Sequence, residues 1–204
     1  LFFLTNLTKL RVLNLENTPI TDEGLTYVAR IRSLERLNLR NTLVGNASLE
    51  HIAKLLKLYS LNLSLTEVND TGMPYVGHMT ALTELNLSFT AVSDKGLAYL
   101  SSLKHMEILN LDSTAISDRG IAHLSSMKHL VILDIAGNAV NSGIRHLASL
   151  TSLRELYLYQ TYISASGLRT IARVPLRKLD LSWNRQLVAA DLAAVAQICS
   201  LEEL

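Results

Sequence analysis

A leucine-based unit restarts at Leu10, Leu34, Leu58, Leu82, Met106, Leu130, Leu153, Leu176 and Leu201, giving spacings of 24, 24, 24, 24, 24, 23, 23 and 25 residues. Self-similarity at a fixed period of this size means one small supersecondary unit written many times. Each copy is too small to bury its own apolar face and must stack on the next. The chain is therefore expected to be a solenoid: a single array over residues 1–204, with about eight full units starting at 10, 34, 58, 82, 106, 130, 153 and 176. Both ends read as truncated, because Leu4 and Leu7 continue the spacing backwards and Leu201-Glu202-Glu203-Leu204 opens another unit. Uncapped ends of a stack expose apolar faces, which implies neighbouring domains or end-to-end self-association.

Within each unit, a core such as Leu13-Asn14-Leu15 or Leu109-Asn110-Leu111 alternates apolar and polar residues with the period of a strand. One short strand per unit, laid parallel to its neighbours, turns the leucines inward and the intervening residues outward onto a concave sheet. A column of Thr18, Thr42, Thr66, Thr90, Thr114, Asn138, Thr161 and Asn184 follows. Hydroxyl and amide groups there suit an inward ladder that satisfies backbone groups freed at the strand end. The column Asp22, Asn46, Asp70, Asp94 and Asp118 stands just before a Gly and an apolar i, i+3 pair, and is expected to N-cap a short return helix. The predicted class is α/β: a horseshoe with a parallel sheet on the concave face and short helices on the convex face. The register slips three times near the C-terminus, before Gly143, around Pro175 and between Asn184 and Leu192.

The best-kept copies, Leu82 to Thr90 with Ser93-Asp94-Lys95-Gly96-Leu97 and Met106 to Thr114 with Ser117-Asp118-Arg119-Gly120-Ile121, share the form L-x-x-L-x-L-x-x-T-x-[IV]-S-D-x-G-[LI]-x-x-L. That form resembles the leucine-rich-repeat pattern. Residues Thr18 to Ala29, Thr-Pro-Ile-Thr-Asp-Glu-Gly-Leu-Thr-Tyr-Val-Ala, are similar to the I-x-D-E-G-A-x-x-L-A signature of the GALA-type leucine-rich repeats and their F-box-associated relatives. Thr stands in the ladder where that group usually has Asn or Cys. The resemblance implies a leucine-rich-repeat horseshoe that recognises other proteins, and it brings in a substrate-recognition part of a ubiquitin-ligase adaptor or a bacterial effector. An accessory repeat region of a larger enzyme is the third role open to such an array.

A formal charge of +1, with no run of Lys and Arg longer than two residues, lacks the electrostatic footprint of a nucleic-acid binder. The most apolar stretch, Leu187 to Cys199, contains Asp191 and is shorter than the roughly 20 residues of a membrane span, so no membrane span is expected. The start lacks the charged segment and cleavage site of a signal peptide. Cys199 is the one cysteine, which points to the cytoplasm or another reducing compartment. Asn6, Asn46, Asn62, Asn69 and Asn86 lie in N-x-S/T sequons, but the repeat itself writes Asn-Leu-Ser at Asn62 and Asn86.

Chemistry has few candidates. His51, His123 and His146 share a column with Tyr27, Tyr75 and Tyr99, whose rings are expected to stack along the convex flank. No Cys or carboxylate is placed to complete a metal site with His123 and His146. His105 and His129 form a second pair at the corner before a strand. There is no nucleophile elbow and no glycine-rich phosphate loop, so no catalytic residue, metal or cofactor is expected and the chain reads as a non-enzyme.

The outward strand positions carry the recognition information, because the repeat does not fix them for folding. Ser64 and Ser88 are counted among the exposed ones. The middle column is Asn14, Asn38, Asn62, Asn86 and Asn110, then Asp134, Tyr157 and Asp180. Large amphipathic aromatics dominate interface hot spots, so Tyr157, Tyr159 and Trp183 are the leading contact residues, with Tyr162 nearby. Cover for the edge of the core is the other role open to Tyr162 and Trp183. Phe89, with Leu65, suggests a secondary apolar strip. Arg36 and Arg40, Asn86 and Asn110, and Asp112 and Asp134 complete the candidate face, whose charge runs from basic early to acidic in the middle. The expected function is non-catalytic binding of a protein or peptide partner on the concave sheet, as part of a larger scaffold or assembly.

Overall fold

Burial of every second residue of the leucine cores lays eight short strands side by side. In the computed structural model, which describes residues 1–204, these are β1 Val12–Asn14, β2 Arg36–Asn38, β3 Ser60–Asn62, β4 Glu84–Asn86, β5 Ile108–Asn110, β6 Ile132–Asp134, β7 Glu155–Tyr157 and β8 Lys178–Asp180. They form one parallel sheet in chain order. The register keeps equivalent positions opposite one another throughout, from Leu13 on Leu37 to Leu156 on Leu179. The C-terminal slips are therefore absorbed outside the strands. The inward leucines join the return segments in one continuous core of 50 buried residues that runs the length of the stack.

Seven of the eight strands, all but β7, end after three residues for a local reason. The side chain at the last strand position turns back and accepts the N–H two residues on: Asn38 Oδ1 from Arg40 at 3.0 Å, Asn86 Oδ1 from Ser88 at 2.9 Å, Asn110 Oδ1 from Asp112 at 2.9 Å. Asp134 and Asp180 make the same turn, to Ala136 at 3.0 Å and Ser182 at 2.8 Å. This local bond competes with extension of the strand. In two units the following serine also folds in, Ser64 Oγ and Ser88 Oγ each donating to the Asn at 2.8 Å, so Ser64 and Ser88 are buried rather than exposed as their position in the strand pattern suggests.

The Thr/Asn column is the expected inward ladder. Thr42, Thr66, Thr90 and Thr114 donate to the carbonyls of Leu39, Leu63, Leu87 and Leu111 at 2.6–2.8 Å. Asn138 reaches further and donates to Leu111, Ile135 and Ala136.

The return segments are helices α1 Asp22–Val28, α2 Asn46–Ile52, α3 Met73–Gly77, α4 Asp94–Leu100, α5 Asp118–Ile121, α6 Ala165–Thr170 and α7 Leu192–Val195, with 3-10 turns between or in place of them. The unit that lacks a residue before Gly143 uses a 3-10 helix, Ser142–Ser149, where its neighbours begin with an α-helix. A 3-10 helix rises about 2.0 Å per residue against about 1.5 Å for an α-helix, so a shorter segment can cover the same height.

The Asp column does not cap its own helix. The N-cap positions belong to the preceding residues, such as Ser93 and Ser117, and each Asp is the first helical residue. Its carboxylate points to the next unit instead. Asp70 accepts from Ser93 N at 2.7 Å, Ser93 Oγ at 2.6 Å and Gly96 N at 3.0 Å. Asp94 repeats the pattern on Ser117, at 2.8 and 2.6 Å, and Asp118 on Asn141 and Ser142. A cap along the chain could use the same oxygens, but the donors of the neighbouring unit lie within reach and would otherwise be left unpaired. Burial pushes the Asp118 carboxyl up, yet the N–H groups of Asn141, Gly143 and Ser142 with the Ser142 hydroxyl outweigh it and hold it below the ordinary value. Two glycines of this column follow from the same contact: a Cβ at Gly96 would sit 2.5 Å from Asp70 Oδ1, and one at Gly120 would collide with Asp94 Oδ1.

The convex flank differs from expectation in one respect. Tyr75 and Tyr99 are exposed and their rings do not stack with the neighbouring members of their column; the stacked pair is His105 and His129, with centroids 6.0 Å apart and planes at 27°.

Gly→Ala inside a helix normally stabilises by roughly 0.5–1 kcal/mol, whereas forced overpacking costs about 1–3 kcal/mol. Gly120→Ala is therefore expected to lower the unfolding free energy in a urea titration. In an Asp94→Ala background the colliding carboxylate is gone, and the same substitution is expected to be neutral or stabilising, so that the pair is strongly non-additive.

Candidate functional site

The concave sheet divides into two halves of different character. Over β1–β4 its charges are satisfied internally. Arg11 grips Glu35 with two bonds of 2.7 and 2.8 Å, Arg40 lies 3.3 Å from Glu16, and Arg36 lies 3.8 Å from Glu84. The hydrogen bond from Arg11 holds the Glu35 carboxyl below its ordinary value. Asn38 also donates to Glu16, at 3.1 Å. The basic early half suggested by composition is thus neutralised by the chain's own glutamates. Arg36, Asn86 and Asn110 line a shallow groove of about 440 Å³ along this part of the sheet. The Asn86 and Asn110 oxygens are committed to the strand-ending turn, and Asn110 Nδ2 donates to Asp134 at 3.2 Å, which leaves the Asn86 Nδ2 group free.

Over β6–β8 the face carries aromatic rings and carboxylates. Strand register places Asp134, Tyr157 and Asp180 in one row. The Tyr157 hydroxyl donates to Glu155 at 2.8 Å, and Lys178 Nζ lies 5.7 Å from the Tyr157 ring centroid. Burial, with the bond to Glu155, pushes the Tyr157 hydroxyl up. Burial also pushes the Asp134 carboxyl up to about 6; the nearby Asp112 and Asp180 add to this, and the Ala136 N–H and Asn110 amide only partly offset it. Tyr159 and Trp183 have ring centroids 6.2 Å apart, and Arg185 lies 5.2 Å over the Trp183 ring.

Trp183 is 60% exposed and Tyr162 67% exposed, so neither covers the core. Both line a second groove, of about 770 Å³, beside Gly137, Gln160 and Arg185. Arg36 and Arg40, five strands away from β7, do not join this cluster; at about 4.8 Å per strand the separation is roughly 24 Å.

A further column was not singled out by reading the strands. The residue before each ladder position has positive φ in all eight units: Asn17, Asn41, Leu65, Phe89, Ser113, Gly137, Gln160 and Trp183, at 49–65°. Asn and Gly adopt this conformation readily, and large apolar residues do not. Asn17, Asn41 and Gly137 carried that signal in the sequence once aligned by period. Leu65, Phe89 and Trp183 hold the same backbone while remaining 39%, 50% and 60% exposed. Neither backbone preference nor burial accounts for them. Leu65 and Phe89 are neighbours on one rim, while Ser113, Gly137 and Gln160 separate them from Trp183.

The family model described as Leucine Rich repeat matches residues 6–29, 78–101 and 102–125. No curated protein matches the chain. Among solved structures, an internalin (InlF) from Listeria monocytogenes superposes with a TM-score of 0.82 at 22% identity, over 100% of this chain and 56% of that one. The chain has the leucine-rich-repeat fold. A leucine-rich-repeat protein of Leptospira interrogans has a TM-score of 0.69 at 18% identity, over 98% of this chain and 57% of that one. A plant peptide hormone receptor, RGFR1, solved in complex with RGF2, has a TM-score of 0.61 at 17% identity, over 98% of this chain and 40% of that one. The chain thus spans about half the length of these leucine-rich-repeat proteins. No helix of this solenoid is long and apolar enough to cross a membrane.

Two stability measurements check the site. Relieving a left-handed backbone at a bulky residue is worth about 1 kcal/mol, so Phe89→Asn is expected to raise the urea midpoint with the slope unchanged. Asp134 has a folded-state pKa above its unfolded one, so it binds its proton more tightly when folded. Its contribution to stability falls as pH rises from about 4 to about 6 and stays unfavourable above. Asp134→Asn keeps the turn and is expected to stabilise by about 1 kcal/mol above that window, a figure discounted for partial solvent screening, and to be neutral below it.

Proposed function

We propose that this chain is a non-catalytic interaction module that holds a protein or peptide partner on the C-terminal half of its concave sheet. The observation that carries the reading is the exposed Trp183 ring packed beside the half-buried Tyr159, with the half-buried Tyr157 on the same strand as Glu155, set on a face where the fold itself calls for small polar side chains. Rigid amphipathic rings bring large contact area at low entropic cost, which is why they dominate interface energetics. Phe89 and Leu65 offer a separate apolar contact on the rim, four and five units away from Trp183, with Asn86, Asn110, Asp112 and Asp134 as polar contacts between. Arg36 and Arg40, already paired, contribute to the rim of the interface rather than to its centre. The plant receptor captured with RGF2 on a similar scaffold supports a peptide or protein as the occupant.

A second reading is favoured by the Thr18–Ala29 segment and its GALA-type signature: the same face selects substrates for a ubiquitin-ligase adaptor or serves a bacterial effector. The face and its residues are the same in either role. A reducing compartment suits the single, exposed Cys199.

Affinity capture from the native source with the wild-type chain and a Tyr157→Ala, Tyr159→Ala, Trp183→Ala variant tests the reading, with thermal melting to show that the variant is folded. Hot-spot truncation costs about 2 kcal/mol or more, so partners are expected to be lost or weakened at least roughly 30-fold. Partners retained equally by both chains would move the site elsewhere.

A further inference from the structure

The carboxylates of the concave face fall into two sets. Glu16, Glu35 and Glu84 each take an arginine of this chain within 4 Å. Asp112, Asp134, Glu155 and Asp180 form no ion pair; they accept from the Ser113 hydroxyl, the Asn110 amide, the Tyr157 hydroxyl and the Ser182 hydroxyl respectively. Among the cations of this half, Lys178 pairs with Glu203 at 2.5 Å, Arg177 lies 3.7 Å from Glu202, Arg154 donates to the Thr151 and Leu153 carbonyls, and Arg185 lies over the Trp183 ring. The cations of this half are thus engaged elsewhere, and the concave carboxylates without an ion pair are those of the half that carries the aromatic rings.

The fold does not require that charge. At the row occupied by Asp134 and Asp180, five other units place Asn and make the same strand-ending turn with a neutral amide. At Asp134 burial works against the ionised form. Two carboxylates flanking an aromatic ring form a receptor for a planar cation, since a guanidinium can stack on the ring and engage a carboxylate with two N–H groups. Lys178 beside the Tyr157 ring already uses that ring in this way.

We propose that the occupant of the C-terminal half of the sheet is a cationic segment of a protein partner, presenting arginine side chains to the Asp134–Tyr157–Asp180 row. This rests on the reading of the face as the partner-binding surface and adds the chemistry of what it binds. Binding is coupled to pH through Asp134, which is faced by Asn110 from β5 and Asp112 just after it, by Glu155 and Tyr157 from β7, and by Asp180 and Lys178 two strands away on β8. The net charge of +1 gives a polycation no general attraction to the chain.

The chain's one tryptophan is Trp183, 6.2 Å from Tyr159, so its fluorescence reports on this face directly. Capped hexa-arginine and hexa-glutamate peptides are titrated into the full chain at about 0.15 M salt, at about pH 7.5 and about pH 5. Hexa-arginine is expected to bind at least about 10-fold tighter than hexa-glutamate at the higher pH and to weaken several-fold at the lower one. Asp134→Asn with Asp180→Asn, which only extends the existing Asn column, is expected to weaken it about 10-fold. Glu23→Gln with Glu50→Gln, which removes equal charge from α1 and α2, is expected to leave it unchanged. If the Asp134/Asp180 variant fails to fold, Asp112→Asn takes its place with a smaller loss expected. Equal affinity for the two peptides, or indifference to these substitutions, overturns the proposal. Such a result beside loss of native partners from the aromatic variant would leave the binding face standing and reject only its preference for cations.

Discussion

Every unit of this solenoid leaves backbone donors and acceptors that only its neighbour can satisfy, and the architecture depends on that dependence. Leu39 N donates to Asn62 O and Leu63 N to Asn86 O across the sheet, each at 2.8–2.9 Å. On the other side of the core, the Asp70, Asp94 and Asp118 carboxylates collect the N–H groups and hydroxyls of the next unit's helix start. One unit therefore cannot fold alone, and an apolar core only becomes continuous when both seams close. The glycines after these residues are a consequence: the side-chain oxygen of the preceding unit, Asn46 for Gly72, Asp70 for Gly96 and Asp94 for Gly120, stands where a Cβ would be.

Much of this was legible because burial imposes a strict pattern. The leucine period, the strand alternation and the Thr/Asn ladder follow from which residues must face inward, and a sequence records inward positions well. The Asp column was legible as a place but not as a contact. An N-cap and an inter-unit staple call for the same short carboxylate before a helix, and only the geometry of stacking decides which donors lie within reach. Ser64 and Ser88 were misplaced for a related reason: alternation assigns them outward, but a local bond to Asn62 or Asn86 folds the hydroxyl in. The left-handed column could have been found from Asn17, Asn41 and Gly137. The bulky residues sharing it masked the signal.

What the fold leaves undetermined is concentrated on the outward face, and there the two halves differ. The early units balance their charges within the chain, as Arg11 does with Glu35 and Arg40 with Glu16. The later ones hold rings in water, keep carboxylates without cations and place Trp183 in a backbone conformation that favours smaller residues. Each of these features works against the isolated chain to a small degree, and together they fall on one surface, which is the usual signature of a site retained for something other than folding.

Hydrogen exchange of the full chain, alone and saturated with a partner captured from its native source, tests this account most directly. Amides of β6–β8 and of the rim around Gln160 and Trp183 are predicted to gain protection, while helices α1 to α6 exchange as they do in the free chain. Protection gained on the convex helices, with β6–β8 unchanged, would contradict the account and place recognition on the opposite side of the solenoid.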